Sequence, residues 1–126
     1  MAGILIDTNV LINYSKARDT LLQGYLDNRN STSLYVNPII ITEFVNDKNL
    51  LKNSHKKQQA LKFLDLFQHI DINKKVALKA GELIRTSKVS YLADAFIAAT
   101  CLVHSLKLLT HNQKHFKQIP SLKLLQ

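Results

Sequence analysis

The feature that most constrains this chain is an alternation of very short apolar runs with longer helical stretches. Ile4–Ile6, the run SLYV at 33–36 and the run KLLT at 107–110 are too short for helices and read as buried strands. The run LKLL at 122–125 reads as a last strand, and HIDI at 69–72 as a short edge strand. Helical spacing marks NVLINYSK (9–16), TLLQGYLDNRN (20–30), HKKQQALKFLDLFQ (55–68) and KKVALKAGELIRTSK (74–88). YLADAFIAATCLVHSL (91–106) is apolar nearly all round and predicts a central helix, while HNQKHF (111–116) predicts a turn or short helix. Asn37-Pro38 predicts a helix start, Asn as N-cap and Pro at the first helical position, although the isoleucine run that follows also suits a strand.

Strands separated by helices predict an α/β domain: a three-layer α/β/α sandwich around a mostly parallel central sheet. With 126 residues and 46% apolar content, one domain spanning 1–126 is the expectation, with a core that needs no disulfide. The polar, basic stretch 46–55 is a connector inside it. The single cysteine, Cys101, sits in an apolar run and reads as core filler in a reducing compartment. No apolar run approaches the ~18 residues of a membrane span, and no signal-peptide pattern opens the chain, so a cytoplasmic protein is expected.

In such sheets, sites form beyond the carboxyl ends of strands. Asp7 directly follows Ile4–Ile6, and Thr110, His111 and Asn112 follow the run KLL, so the two loops are expected to share one edge. Asp7 has company. Of nine acids, Glu43 in IIITEFV and Asp94 in YLADAFIAA also stand among apolar neighbours with few basic residues nearby. A carboxylate in apolar surroundings is costly unless paired or bound to a metal. Each also has a plainer reading: Asp7 or Asp94 as a helix cap, Glu43 as a solvent-facing residue. A shared cation explains all three together, and oxygen donors suit Mg²⁺ or Mn²⁺ better than zinc. His111 and His115 stand four apart, but no third zinc ligand lies near them.

The net charge of +8 attracts polyanions, nucleic acid first. Lys48, Lys52, Lys56 and Lys57 near one end, and Lys114 and Lys117 near the other, are the candidates for RNA backbone contacts; simple solubilisation is the alternative. Tyr14 and Tyr91 are candidates to stack on unpaired bases, against packing at the core or rim. Other α/β phosphate chemistries fail at their motifs. A dehalogenase-like phosphatase wants Asp-x-Asp where Asn9 stands. Three scattered glycines exclude a dinucleotide fingerprint and a P-loop, and no acidic pair serves a receiver domain.

Taken together, ILIDTNVLI, ITEF and LADAFIAATCLVHSLKLLTHNQKHF resemble the PIN-domain ribonucleases, most closely the VapC-type toxins of bacterial and archaeal toxin–antitoxin pairs. The similarity spans nearly the whole chain in order and spacing. It implies a parallel α/β/α sandwich, a homodimer, a VapB-like antitoxin partner, and an acid cluster holding one or two Mg²⁺ or Mn²⁺ ions. The family's acids fall on Asp7, Glu43 and Asp94, with Asp7 and Asp94 as direct ligands and Glu43 as ligand or water-orienting residue. Asn9 and Thr110 fall on supporting positions, and Asn112 on the Asn of a Thr-x-Asn element. Many members carry a fourth acid at the place of Asn112 or of His115, whereas no acid follows Asp94 here, which implies one tightly held ion in the free protein. The implied activity is metal-dependent hydrolysis of RNA, in transfer or ribosomal RNA loops. The alternative is a PIN-like scaffold that binds RNA or a protein without cleaving.

Overall fold

The computed structural model describes residues 3–87 and 89–126. Five strands, β1 (Ile4–Ile6), β2 (Leu34–Val36), β3 (Gln68–His69), β4 (Lys107–Leu109) and β5 (Leu124–Leu125), form one sheet in the order β3-β2-β1-β4-β5. Every pairing is parallel, with Ile4 opposite both Leu34 and Lys107, and Leu109 opposite Leu125. Parallel strands demand crossovers, and helices supply them: α1 (Thr8–Ser15), α2 (Leu21–Asp27), α3 (Pro38–Val45), α4 (Ser54–Leu64), α5 (Lys74–Thr86), α6 (Leu92–His104) and α7 (Gln113–Phe116). Ile4, Leu5 and Ile6 are all buried, so the central strand is covered on both faces, as the sandwich requires.

The chain runs outward through β2 to the edge strand β3, then returns past β1 to β4 and β5. Right-handed crossovers in opposite directions place helices on both faces. They also leave a switch point between β1 and β4, where neighbouring strands send their chains opposite ways.

Local sequence sets the helix starts. Asn37 adopts extended backbone and its side chain accepts from Ile40 N, with Pro38 opening α3, so the isoleucine run is helix and not strand. Asn53 and Asn73 cap α4 and α5 in the same manner. Helix α6 is the central one, with Ala95, Ile97, Ala98, Ala99, Thr100 and Cys101 buried, and burial pushes the Cys101 thiol far above its usual range. The thiol is inert packing.

Several elements are shorter than expected, the helix over 20–30 being Leu21–Asp27 and the strand LKLL being Leu124–Leu125, and two others differ in kind. The helix expected over 55–68 closes at Leu64, and Phe67 is buried through a turn, meeting Phe63 edge-on with ring centroids 5.3 Å apart. The edge strand is Gln68–His69 instead of HIDI, because Ile70 N already donates to Val36 O at the end of the pairing.

Candidate functional site

Asp7 closes β1 at the switch point and is 5% exposed. It performs the capping role for α1: its Oδ1 accepts from Thr8 N at 2.8 Å. The second oxygen is also engaged, since Oδ2 accepts from the Thr110 hydroxyl at 2.7 Å. Thr110 follows β4, and its Oγ1 accepts from Asn112 N at 2.9 Å. Asn9 Oδ1 accepts from His111 N at 3.4 Å. The loops after β1 and β4 therefore open on one edge and are bonded to each other.

Glu43 approaches from α3. Its Oε1 accepts from the Thr8 hydroxyl at 2.6 Å, so Thr8 joins Asp7 and Glu43 through adjacent groups, backbone to one and side chain to the other. Thr8 stands inside ILIDTNVLI, but nothing in the local sequence marks it as a link to an acid 35 residues away. Glu43 itself is exposed: its apolar sequence neighbours lie on another face of α3, where Phe44 is fully buried. Asp94 lies in the first turn of α6, where the carboxylate suits the helix dipole without making a side-chain cap. Its Oδ2 stands 3.1 Å from His115 Nδ1 of α7. The His115 ring stacks on Tyr91 with centroids 5.5 Å apart. Asn112 is exposed, and its side chain does not cap α7.

Electrostatics ties the three acids together. Burial pushes Asp7 up to about 6, with the charges of Asp94 and Glu43 adding to the rise and the Thr110 and Thr8 hydrogen bonds opposing it. Burial also raises Asp94, offset in part by His115. No lysine or arginine is among the causes of either shift. The edge thus gathers negative charge that His115 only partly offsets, the condition a bound cation relieves. The donor set is carboxylate oxygen with hydroxyl and amide support, which suits a hard divalent ion. Among the described residues, no three Asp, Glu, His or Cys groups already stand together as ligands for one ion.

The lysines fall in two places. Lys48, Lys52, Lys56 and Lys57 are exposed on the connector after α3 and on α4; Lys114 and Lys117 are exposed on and just after α7, beside His115. A cleft of about 560 Å³ between α1, α3 and α4 is lined by Tyr14, Lys16, Arg18, Phe44, Lys56 and Phe63, and by none of the three acids. Tyr14 stacks on Phe63 inside it, at 5.7 Å between centroids, while Tyr91 is 61% exposed beside His115. Arg18 joins this cleft only through the tertiary fold, and nothing in its local sequence marks it.

An acid cluster at the switch point of an all-parallel sheet defines a class of α/β proteins whose site lies at the strand ends. This chain belongs to the PIN domain family, whose model matches residues 4–122. It is similar to Ribonuclease VapC of Rickettsia bellii (strain RML369-C), 28% identical over 134 residues that cover 98% of this chain and 95% of the relative. Among solved structures, a toxin–antitoxin complex from Klebsiella pneumoniae matches with TM-score 0.78 at 28% identity, covering 98% of this chain and 96% of that one. DNA-bound VapBC from Salmonella typhimurium matches with TM-score 0.85 at 20% identity, covering 99% and 98%, a likeness of fold. No helix among the described residues is long and apolar enough to cross a membrane.

Proposed function

We propose that this protein is a metal-dependent endoribonuclease, the toxin of a toxin–antitoxin pair. The observation that carries the reading is that buried Asp7 is joined through Thr8 to Glu43 at the strand ends, with Asp94 near enough that both charges add to the rise that burial causes in Asp7. The family membership and the names of the relatives support it. Asp7 and Asp94 are the ligands of Mg²⁺ or Mn²⁺, with Glu43 as a further ligand or the residue that orients water. Glu43 and Asp94 have more open surroundings than Asp7, so their side chains have room to turn towards a common ion. A bound divalent ion supplies a more acidic water and offsets charge building on the phosphate.

The chain's own residues do the rest. Thr8 and Thr110 fix the carboxylates of Glu43 and Asp7 with hydroxyl donors, and Asn112 N holds Thr110 in that role. Asn9 ties the β4 loop to α1. The exposed lysines hold RNA phosphates. Because each phosphate contact releases counterions, Lys114→Gln is expected to reduce the slope of log affinity against log salt by ~0.7 on single-stranded RNA. Filter binding of an uncleavable RNA across a salt series measures it. The protein acts as a cytoplasmic homodimer on loops of transfer or ribosomal RNA. The aromatic cleft with Arg18 and Lys56 at its rim suits an antitoxin segment with apolar anchors and acidic flanks.

The test is total RNA incubated with wild type and Asp94→Asn in Mg²⁺, Mn²⁺ or EDTA. Metal-requiring cleavage that the variant loses is the expected result. Cleavage retained by the variant would assign the activity elsewhere. No cleavage by either folded protein would favour the non-cleaving scaffold.

A further inference from the structure

His115 is half-exposed, yet its ring is held on both sides, by an acid of the site and by an aromatic ring. Its Nδ1 is 3.1 Å from Asp94 Oδ2. Two donors bound at adjacent corners of an octahedron, each about 2.1 Å from the ion, are separated by about 3.0 Å. The pair is therefore spaced as a chelate before any ion arrives, at hydrogen-bond distance from one another. Stacking on Tyr91, with planes 24° apart, restrains the imidazole plane. Asp94 in turn is electrostatically coupled to Asp7, so the pair belongs to the acid cluster. His111, the other histidine of this loop, is turned away, with Nε2 3.0 Å from Asp19 Oδ2.

We infer that His115 and Asp94 grip the divalent ion jointly as a nitrogen–oxygen pair, which biases this site towards a transition ion such as Mn²⁺ and away from Mg²⁺. The inference rests on the nuclease reading for the identity of Asp94 as a ligand. Its chemistry is separate: Mg²⁺ prefers an all-oxygen shell, whereas first-row ions accept imidazole. To offer Nδ1 to an ion the neutral imidazole would carry its proton on Nε2, so no net proton need be lost from the ring. With no third donor already gathered among the described residues, the remaining positions go to water, Asp7 or RNA phosphate.

The test is binding of Mn²⁺ alone to the full chain, followed by electron paramagnetic resonance, with Mg²⁺ competition. Wild type is expected to show coupling of Mn²⁺ to a histidine nitrogen, and His115→Ala and His115→Asp to lose it. In His115→Asp the preference for Mn²⁺ over Mg²⁺ is expected to fall by about tenfold or more. His115 is 43% exposed, so both variants should keep the wild-type melting temperature closely enough to be compared. Bound Mn²⁺ without nitrogen coupling, or coupling that survives His115→Ala, would overturn the role of His115 and leave RNA cleavage by the acids standing. Failure of Mn²⁺ to bind wild type at all would overturn both.

Discussion

Asp7→Asn is expected to abolish RNA cleavage and, in EDTA at pH 8, to make the protein more stable than wild type. The two effects share one cause. Asp7 is buried beside two other carboxylates, and its pKa is about 6 against an ordinary 3.8. The folded protein therefore holds this proton more tightly than the unfolded chain does. Wild-type stability is unaffected by this group below about pH 4, falls as pH rises from about 4 to 6, and stays reduced above that range, by roughly 3 kcal/mol. Asparagine lacks the charge but keeps an oxygen for Thr8 N, and its amide can donate to the Thr110 oxygen. Thr110 must then re-aim its own proton, at a cost of about 1 kcal/mol, leaving a net gain of about 1–2 kcal/mol.

The pH dependence distinguishes this cause from a general packing effect. Melting in EDTA should show the advantage at pH 8 and none at pH 4. Divalent metal should reverse the order, since an ion that binds only the folded wild type stabilises it by mass action. Metal affinity should also fall about tenfold per pH unit below about 6, as Asp7 takes up its proton. Loss of a metal ligand worth several kcal/mol in the transition state corresponds to ~10³-fold or more in rate. A variant less stable than wild type at pH 8 without metal would mean that Asp7 acts chiefly as a cap. Such a trade of stability for function is common where a site holds like charges together.

That Asp7 would cap α1 was legible in the sequence, because an acid directly after a buried strand and before a helix stands where an N-cap is needed. The parallel sandwich was legible too, from apolar runs too short for helices, and so was α3, from Asn37-Pro38. Gln68–His69 was not: both residues are exposed and polar, and they are a strand only because an edge position lets backbone groups pair with β2. Phe67 misled in the opposite direction. It keeps the helical spacing of Leu61 and Leu64, but it reaches the core after the helix has ended. At the site, the three acids share an apolar sequence setting yet differ in three dimensions, from buried Asp7 to exposed Glu43. The link from Thr8 to Glu43 spans 35 residues, and that from His115 to Asp94 spans 21. Local patterns carry no record of such contacts.

Asn37→Ala is expected to cost about 2–4 kcal/mol of stability. Asn37 is fully buried, and both ends of its amide are used. Oδ1 accepts from Ile40 N at 2.9 Å as the cap of α3, and Nδ2 donates to Thr100 Oγ1 at 2.9 Å. Thr100 in turn donates to Phe96 O at 2.7 Å, within α6. Alanine removes the cap, leaves Ile40 N unpaired away from water, and opens a small void. Asn37→Ser keeps a capping oxygen and should recover about 1 kcal/mol of the loss. Thr100→Val tests the other end, since it strands the Asn37 amide without a partner, at about 1–3 kcal/mol. If the three groups act as a unit, the double variant Asn37→Ala/Thr100→Val should cost less than the two singles together by at least about 0.5 kcal/mol in urea unfolding. Strict additivity would show that the cap alone matters. The distinction bears on function, because this bond joins α3, which carries Glu43, to α6, which carries Asp94. A linked pair of helices fixes how far apart those carboxylates stand, so Thr100→Val should weaken Mn²⁺ binding even though it touches none of the acids.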